Sequence, residues 1–224
     1  MPNTTNESLA AQAVAYLRDS AGAVGGFNGI QQEIRRQAGC LVTWAQQRDL
    51  LLTDAYFLGL QKYERGTLEH DVYFGLKGRV IKCTKPGAFG RGHGSNGKYG
   101  NHCPATPLFY LERLELMNQE FPTTDLCLEG IALGKSEYED REVLHPYIIT
   151  SQRYIEIVDE RRPHPSEPEI ENFMRRLGFS LIQDSCYNWI RESDGIIVTD
   201  TKMLNFIISH EGIVPIDLII SRRI

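Results

Sequence analysis

Apolar positions recur along this chain in two rhythms, one helical and one extended. Over residues 30–52 they fall at Ile30, Ile34, Ala38, Leu41, Trp44 and Ala45, close to the 3.6-residue period of a helix with one buried face. Residues 9–17 suit a short helix, and residues 20–29, rich in Gly and Ala, read as a connector. Behind Thr106-Pro107, which suits an N-cap and first helical residue, the helical spacing returns at Leu108, Leu111, Leu114, Met117 and Phe121. A further stripe, Ile170, Phe173, Met174 and Leu177, follows Ser166. Glu169 stands three residues on to reciprocate that cap, and Gly178 stops the helix.

The extended rhythm predicts strands over residues 55–60, 71–76, 79–84, 126–132 and within 142–150, with a partly apolar extension over 153–158. A charged turn containing Gly66 spans residues 62–70, and Lys77-Gly78 makes a turn between the second and third runs. Residues 187–191 and 195–199 read as a hairpin around Glu192-Ser193-Asp194, and a second hairpin folds around residues 209–212. The class is α+β: the regular strand–helix units of a doubly wound sheet are missing, and so is any internal repeat.

Composition narrows the partners. With 224 residues and 42% hydrophobic content, the chain can build one large domain or two closely packed lobes around a real core. A net charge of −5 argues against general attraction to nucleic acid. No stretch reaches the run of about 20 apolar residues a membrane helix needs, and the polar start Met1–Leu9 carries no signal-peptide pattern. The five cysteines are scattered without paired spacing, which reads as reduced thiols in a cytoplasmic protein.

The candidate chemistry concentrates near the C-terminal end. An apolar run ends on Asp200, Asn205 follows five residues on, and the second hairpin delivers Asp217. Asn205 and Asp217 would come from opposite arms and sit at the same end. Two carboxylates and an amide oxygen suit Mg2+, a hard ion that shares ligands with phosphates. Polar residues at hairpin ends also occur for turn reasons alone. Lys82 sits between Ile81 and Cys83 and so faces the other side of its strand, either solvated or in contact with a phosphate. Glu112 interrupts an apolar side of its helix. It is either a semi-exposed carboxylate packed by its stem or a buried one needing a partner, for which Lys82 is nearest in sequence. Residues 85–105 carry Gly87, Gly90, Gly92, Gly94, Gly97 and Gly100 with Arg91 and Lys98. This mildly basic loop lacks P-loop spacing and is a surface insertion, a phosphate cover or a contact for an acidic partner. His93, His102 and Cys103 within it could hold a metal only in principle.

Lys82 on a strand, Glu112 on the next helix, Asp200 with Asn205 five on, and Asp217 twelve later follow the order of the protein-kinase-like fold. The chain resembles that superfamily. It is more closely similar to the compact kinase domain of polyvalent proteins of phages and mobile elements, over about residues 40–219. That closer likeness rests on Glu69-His70-Asp71-Val72-Tyr73, Val80-Ile81-Lys82-Cys83-Thr84, Pro86-Gly87-Ala88-Phe89-Gly90, Tyr110-Leu111-Glu112-Arg113-Leu114, Leu128-Glu129-Gly130 and Ile213-Val214-Pro215-Ile216-Asp217.

The resemblance implies a truncated two-lobed fold: a helical extension over 1–50, an antiparallel-sheet N-lobe over 51–150 and a reduced C-lobe over 151–224. It implies ATP and Mg2+ as cofactors, with an unknown protein, the chain itself or a small molecule as hydroxyl acceptor. Lys82 would meet the α and β phosphates and Glu112 would orient it, with Glu69 and His70 near the turn over the phosphates. Asp200 would be the catalytic base, Lys202 would sit near the transferred phosphoryl, and Asn205 and Asp217 would hold the metal. Adenine would lie near residues 150–153. Departures are equally plain. Val198-Thr199 precedes Asp200 in place of His-Arg, and Leu218-Ile219 follows Asp217 in place of Phe-Gly. Gly66 is almost alone where three glycines are usual, and the few residues after Asp217 leave no room for a peptide platform. A catalytically silent nucleotide-binding module and nucleotidyl transfer are therefore the alternatives.

Overall fold

The computed structural model describes residues 7–20, 29–64, 69–75, 78–93, 102–136, 142–182 and 187–223. Residues 21–28 of the expected connector, the Gly66 turn, Lys77, Gly94, Gly97, Lys98, Gly100 and Cys186 lie outside the described residues.

In chain order the elements are α1 (Leu9–Ser20), α2 (Ile30–Gln46), β1 (Gln61–Lys62), β2 (His70–Phe74), β3 (Arg79–Thr84), β4 (Arg91–His93) and β5 (His102–Pro104). Then come α3 (Pro107–Glu120), β6 (Cys127–Lys135), β7 (Leu144–Arg153), α4 (Glu167–Arg176) and β8 (Ser180–Leu181). The chain closes with β9 (Trp189–Arg191), β10 (Ile196–Thr199), β11 (Phe206–Ser209), β12 (Gly212–Pro215) and β13 (Ile219–Arg222). Antiparallel pairing gives a five-stranded sheet in the order β1-β2-β3-β7-β6 and a four-stranded sheet in the order β13-β10-β9-β8. Two two-stranded ribbons, β4-β5 and β11-β12, complete the described sheets.

Local chemistry accounts for the start of α3 and both ends of α4. Thr106 accepts the Phe109 amide through its hydroxyl at 3.2 Å and starts α3 ahead of Pro107. The Glu169 carboxylate accepts the Ser166 amide at 2.8 Å at the start of α4, and Gly178, at φ +83°, ends that turn. Two expectations need correction. Residues 54–57 form a 3-10 turn rather than a strand over 55–60, because the sheet's second edge is bridged by Leu51, paired with Ile131. Tyr56 and Phe57 instead pack on the outer face of the sheet with Ile81, Cys83, Ala132 and Ile149. The helix expected to run to Leu52 ends at Gln46. The extension beyond Arg153 joins no strand.

Two larger cores flank α3. One gathers α1, α2 and the first half of α3 against the inner face of β6 and β7, through Leu17, Leu41, Trp44, Leu111, Ile131 and Ile148. The other gathers the far end of α3 and the residue after it, through Met117 and Phe121, against α4 and the four-stranded sheet. α3 belongs to both. No helix among the described residues is long and apolar enough to cross a membrane.

Candidate active site

The cleft opens where β3, α3 and the segment after β12 meet. It is partly open to solvent and is lined by His70, Lys82, Tyr110, Arg113, Thr150 and Asp217, with an apolar end at Leu114, Met117, Leu126 and Leu218.

Strand alternation aims Lys82 into this space, since Ile81 and Cys83 are committed to the opposite face. Its ammonium donates to the carbonyl of Ile216 at 2.5 Å. Burial pulls the Lys82 pKa below the ordinary lysine value, although the Asp217 charge works the other way. Asp217 has the opposite balance: burial opposes its charge, but Lys82, Arg113 and His70 together hold the carboxyl below the usual range.

The β11-β12 ribbon sets Asp217 beside Asn205 as expected: the Ile216 amide donates to the Asn205 carbonyl at 2.8 Å. Asn205 in turn fixes Asp200. Its Nδ2 donates to the Asp200 carbonyl at 2.6 Å and to Asp200 Oδ2 at 2.9 Å, while Lys202 Nζ pairs with Oδ1 at 2.7 Å. Asp200 has φ +59°, a left-handed conformation that a short polar side chain tolerates better than most. Beneath it, buried Thr201 accepts the Trp189 indole N–H at 3.0 Å and donates to the Tyr187 carbonyl at 3.1 Å. The Lys202 charge also lowers the Asp217 pKa, so the loop carrying Asp200 and the cleft share one field.

Glu112 is the correction. It does not orient Lys82: its carboxylate accepts Arg18 Nη2 at 2.7 Å and Nε at 3.2 Å on the solvent side, against α1. The helical stripe that lines the cleft is Tyr110, Arg113, Leu114 and Met117, at i, i+3, i+4 and i+7. Glu112 lies off that stripe, and Arg113 lies on it. Arg113 is buried. It donates through Nη2 to Asp217 Oδ1 at 2.8 Å, through Nη1 to Glu69 Oε2 at 3.2 Å and through Nε to the Leu218 carbonyl at 2.6 Å. The local sequence does not separate Arg113 from its neighbour Glu112, since both interrupt apolar positions of one helix.

Glu69 and His70 stand at the start of β2, at this same charged end. Glu69 packs against Gly90, where a Cβ would come within 3.0 Å of its Oε2. His70 Nε2 and the Tyr110 hydroxyl lie 3.0 Å apart, and burial lowers the His70 pKa to about 4. On β7, Thr150 pairs with Lys82, and two residues on buried Gln152 has an Nε2 without an acceptor among the described residues.

Hard oxygen ligands are available for a divalent ion. The bonds above use Asn205 Nδ2 and Asp217 Oδ1, so Asn205 Oδ1 and Asp217 Oδ2 remain, in a donor set that suits Mg2+. Ligand atoms of Glu69, His70 and Asp217 also lie within 4.8 Å of one another. That second cluster does not fit an ion, because the Arg113 guanidinium already joins its two carboxylates.

No curated protein and no solved structure matches the chain. Residues 35–222 do match a family, described as the serine/threonine/tyrosine kinase found in polyvalent proteins. With β3, α3, the Asp200 loop and Asp217 all inside a match that spans most of the chain, the protein belongs to that kinase family.

Proposed function

We propose that the protein is an ATP-dependent phosphotransferase with a reduced two-lobed kinase architecture, moving the γ-phosphoryl of Mg-ATP to a hydroxyl acceptor. The division is an N-lobe over 51–150, a C-lobe over 151–224 and a helical extension over 1–50. The acceptor is a protein, the chain itself or a small molecule. The observation that carries the reading is the Lys82–Ile216 bond, which holds a partly buried ammonium beside Asp217. Lys82 meets the phosphates, and the backbone of Ile216 fixes its ammonium in place of a helix glutamate. Glu69 and His70 mark the phosphate end, and the base lies toward residues 150–153, where the Gln152 amide N–H group seeks an acceptor.

Asp217 Oδ2 and Asn205 Oδ1 would hold Mg2+, which when bound neutralises phosphate charge. Asp200 accepts the proton of the acceptor hydroxyl as that oxygen bonds to the γ-phosphorus. The bond from the γ-phosphorus to the β–γ bridging oxygen breaks, and ADP leaves. Lys202, ion-paired with Asp200, would follow the transferred group.

A binding-only reading draws on one feature. The chain runs from Asp217 directly into β13, which pairs with β10 along Ile196–Thr199 and closes the sheet. ATP labelled at the γ or the α position, supplied with Mg2+ and either the protein alone or a cell extract, separates the readings. Transfer of γ label is expected. Transfer of α label means nucleotidyl transfer, and nucleotide binding with neither label moved means a silent module. Lys82→Met and Asp217→Asn should abolish nucleotide binding or turnover. Asp200→Asn should keep binding and lower transfer by about 10²-fold or more, the lower range of a general-base contribution; undiminished transfer in that variant overturns the role of Asp200.

A further inference from the structure

Glu69, His70 and Asp217 come from β2 and the segment after β12, and their ligand atoms approach within 4.8 Å of one another. One divalent ion could bridge such a set. Arg113 stands there instead. Its fork spans both acids, with Nη1 3.2 Å from Glu69 and Nη2 2.8 Å from Asp217. Its Nε is tied to the Leu218 carbonyl at 2.6 Å, so the fork cannot turn away without breaking a third bond. A guanidinium does not lose its proton in a protein, so this cation is permanent. The charges also close: Lys82 and Arg113 balance Glu69 and Asp217 one for one, and a divalent ion among them would face two cations at short range, of which Arg113 is buried.

We propose that Arg113 is the resident cation of the nucleotide site, a positioning residue that holds Glu69 and Asp217 where a second divalent ion would otherwise bind. Asp217 then offers only Oδ2 outward, and with Asn205 Oδ1 it serves a single ion arriving with the nucleotide. This last step rests on the phosphotransferase reading; the exclusion of metal by Arg113 does not.

Mn2+ and electron paramagnetic resonance test both parts. Without nucleotide, the wild-type protein should bind no Mn2+ that shows histidine nitrogen coupling. Arg113→Met should gain one such ion per chain, with an affinity at least about tenfold above wild type, and Arg113→Met/His70→Gln should lose the nitrogen coupling. Arg113→Lys, which keeps a charge, should behave as wild type. With a non-hydrolysable ATP analogue, the wild type should bind one Mn2+ per chain. A histidine-coupled Mn2+ in the nucleotide-free wild type overturns the proposal, as does a folded Arg113→Met variant that binds none or an Arg113→Lys variant that gains one. If Arg113→Met does not fold, the wild-type and Arg113→Lys spectra decide. Two ions per chain with the analogue overturn the single-ion step. Failure of the analogue to bind removes the phosphotransferase reading while leaving the nucleotide-free comparison intact.

Discussion

Burial sets the chemistry of individual residues here, and pH exposes it. His70 is neutral in the folded protein down to about pH 4, because burial lowers its pKa to about 4 from the ordinary 6.5. Between those values the unfolded chain takes up a proton that the native protein refuses, so stability is lost as pH falls from 6.5 toward 4. The shift corresponds to at most roughly 3 kcal/mol. Urea unfolding of wild type and His70→Gln from pH 4 to 7 measures it; the variant should show a flatter pH dependence across that window. Glu112 makes a contrasting case. Its ion pair with Arg18 is half open to solvent, so Glu112→Gln should cost under about 1 kcal/mol in thermal or urea unfolding and leave nucleotide affinity unchanged. A large loss of affinity would return Glu112 to the site. The face that Lys82 takes, and the shared hairpin end of Asn205 and Asp217, were legible because strand alternation and hairpin pairing fix them. The choice between Glu112 and Arg113 was not. They are neighbours on one helix, and which side faces the cleft depends on α1 docking some ninety residues away in sequence.

Elements are held in place as much by close backbone approach as by side-chain packing. β6 carries a bulge between Leu128 and Gly130, and there the chain before the sheet comes alongside it. Ile131 donates its amide to Leu50 at 3.0 Å, and Leu52 donates to Ile131 at 2.7 Å. A Cβ on Gly130 would stand 2.5 Å from the Leu50 carbonyl oxygen and 2.8 Å from the Leu52 side chain. Gly130→Ala must therefore push the Leu50–Leu52 segment off the sheet edge, at a cost of about 1–3 kcal/mol. Thermal unfolding should show it, and amide exchange at Leu52 and Ile131 should rise more than at Ile81 on the central strand. Uniform exchange across the sheet would show that the contact is not local. The same contact explains why the strand expected over 55–60 is absent. Its apolar run was real, but Leu51 bridges to the sheet at Ile131, and the apolar side chains of Tyr56 and Phe57 cover the outer face instead. Edge competition of this kind depends on residues far apart in sequence and leaves no periodic trace.

At the scale of the whole molecule, α1 tests where the kinase-like unit begins. The family match starts at residue 35, inside α2, and leaves α1 outside it. Physically, α1 is not an appendage. Ala10, Ala13, Val14 and Leu17 are buried in the core that also holds Leu111, Leu114 and Ile148, beside the cleft-lining stripe of α3. Burial of the Val14 and Leu17 side chains alone is worth about 1.5–3 kcal/mol each, against a total stability of roughly 5–15 kcal/mol for a domain. Leu17→Ala should therefore lower stability by about 2–5 kcal/mol, because no neighbour can fill a fully enclosed site without moving α3. Moving α3 displaces Arg113, and with it the fork on Asp217 and Glu69. The expected signature is a coupled loss: the melting temperature falls, and nucleotide affinity falls with it even well below the transition. Arg18→Ala, which removes only the exposed pair on the same helix, should change neither by much. If Leu17→Ala lowers the melting temperature but leaves affinity intact at low temperature, α1 supports the fold without setting the position of α3, and the unit that binds nucleotide is confined to the residues that follow it.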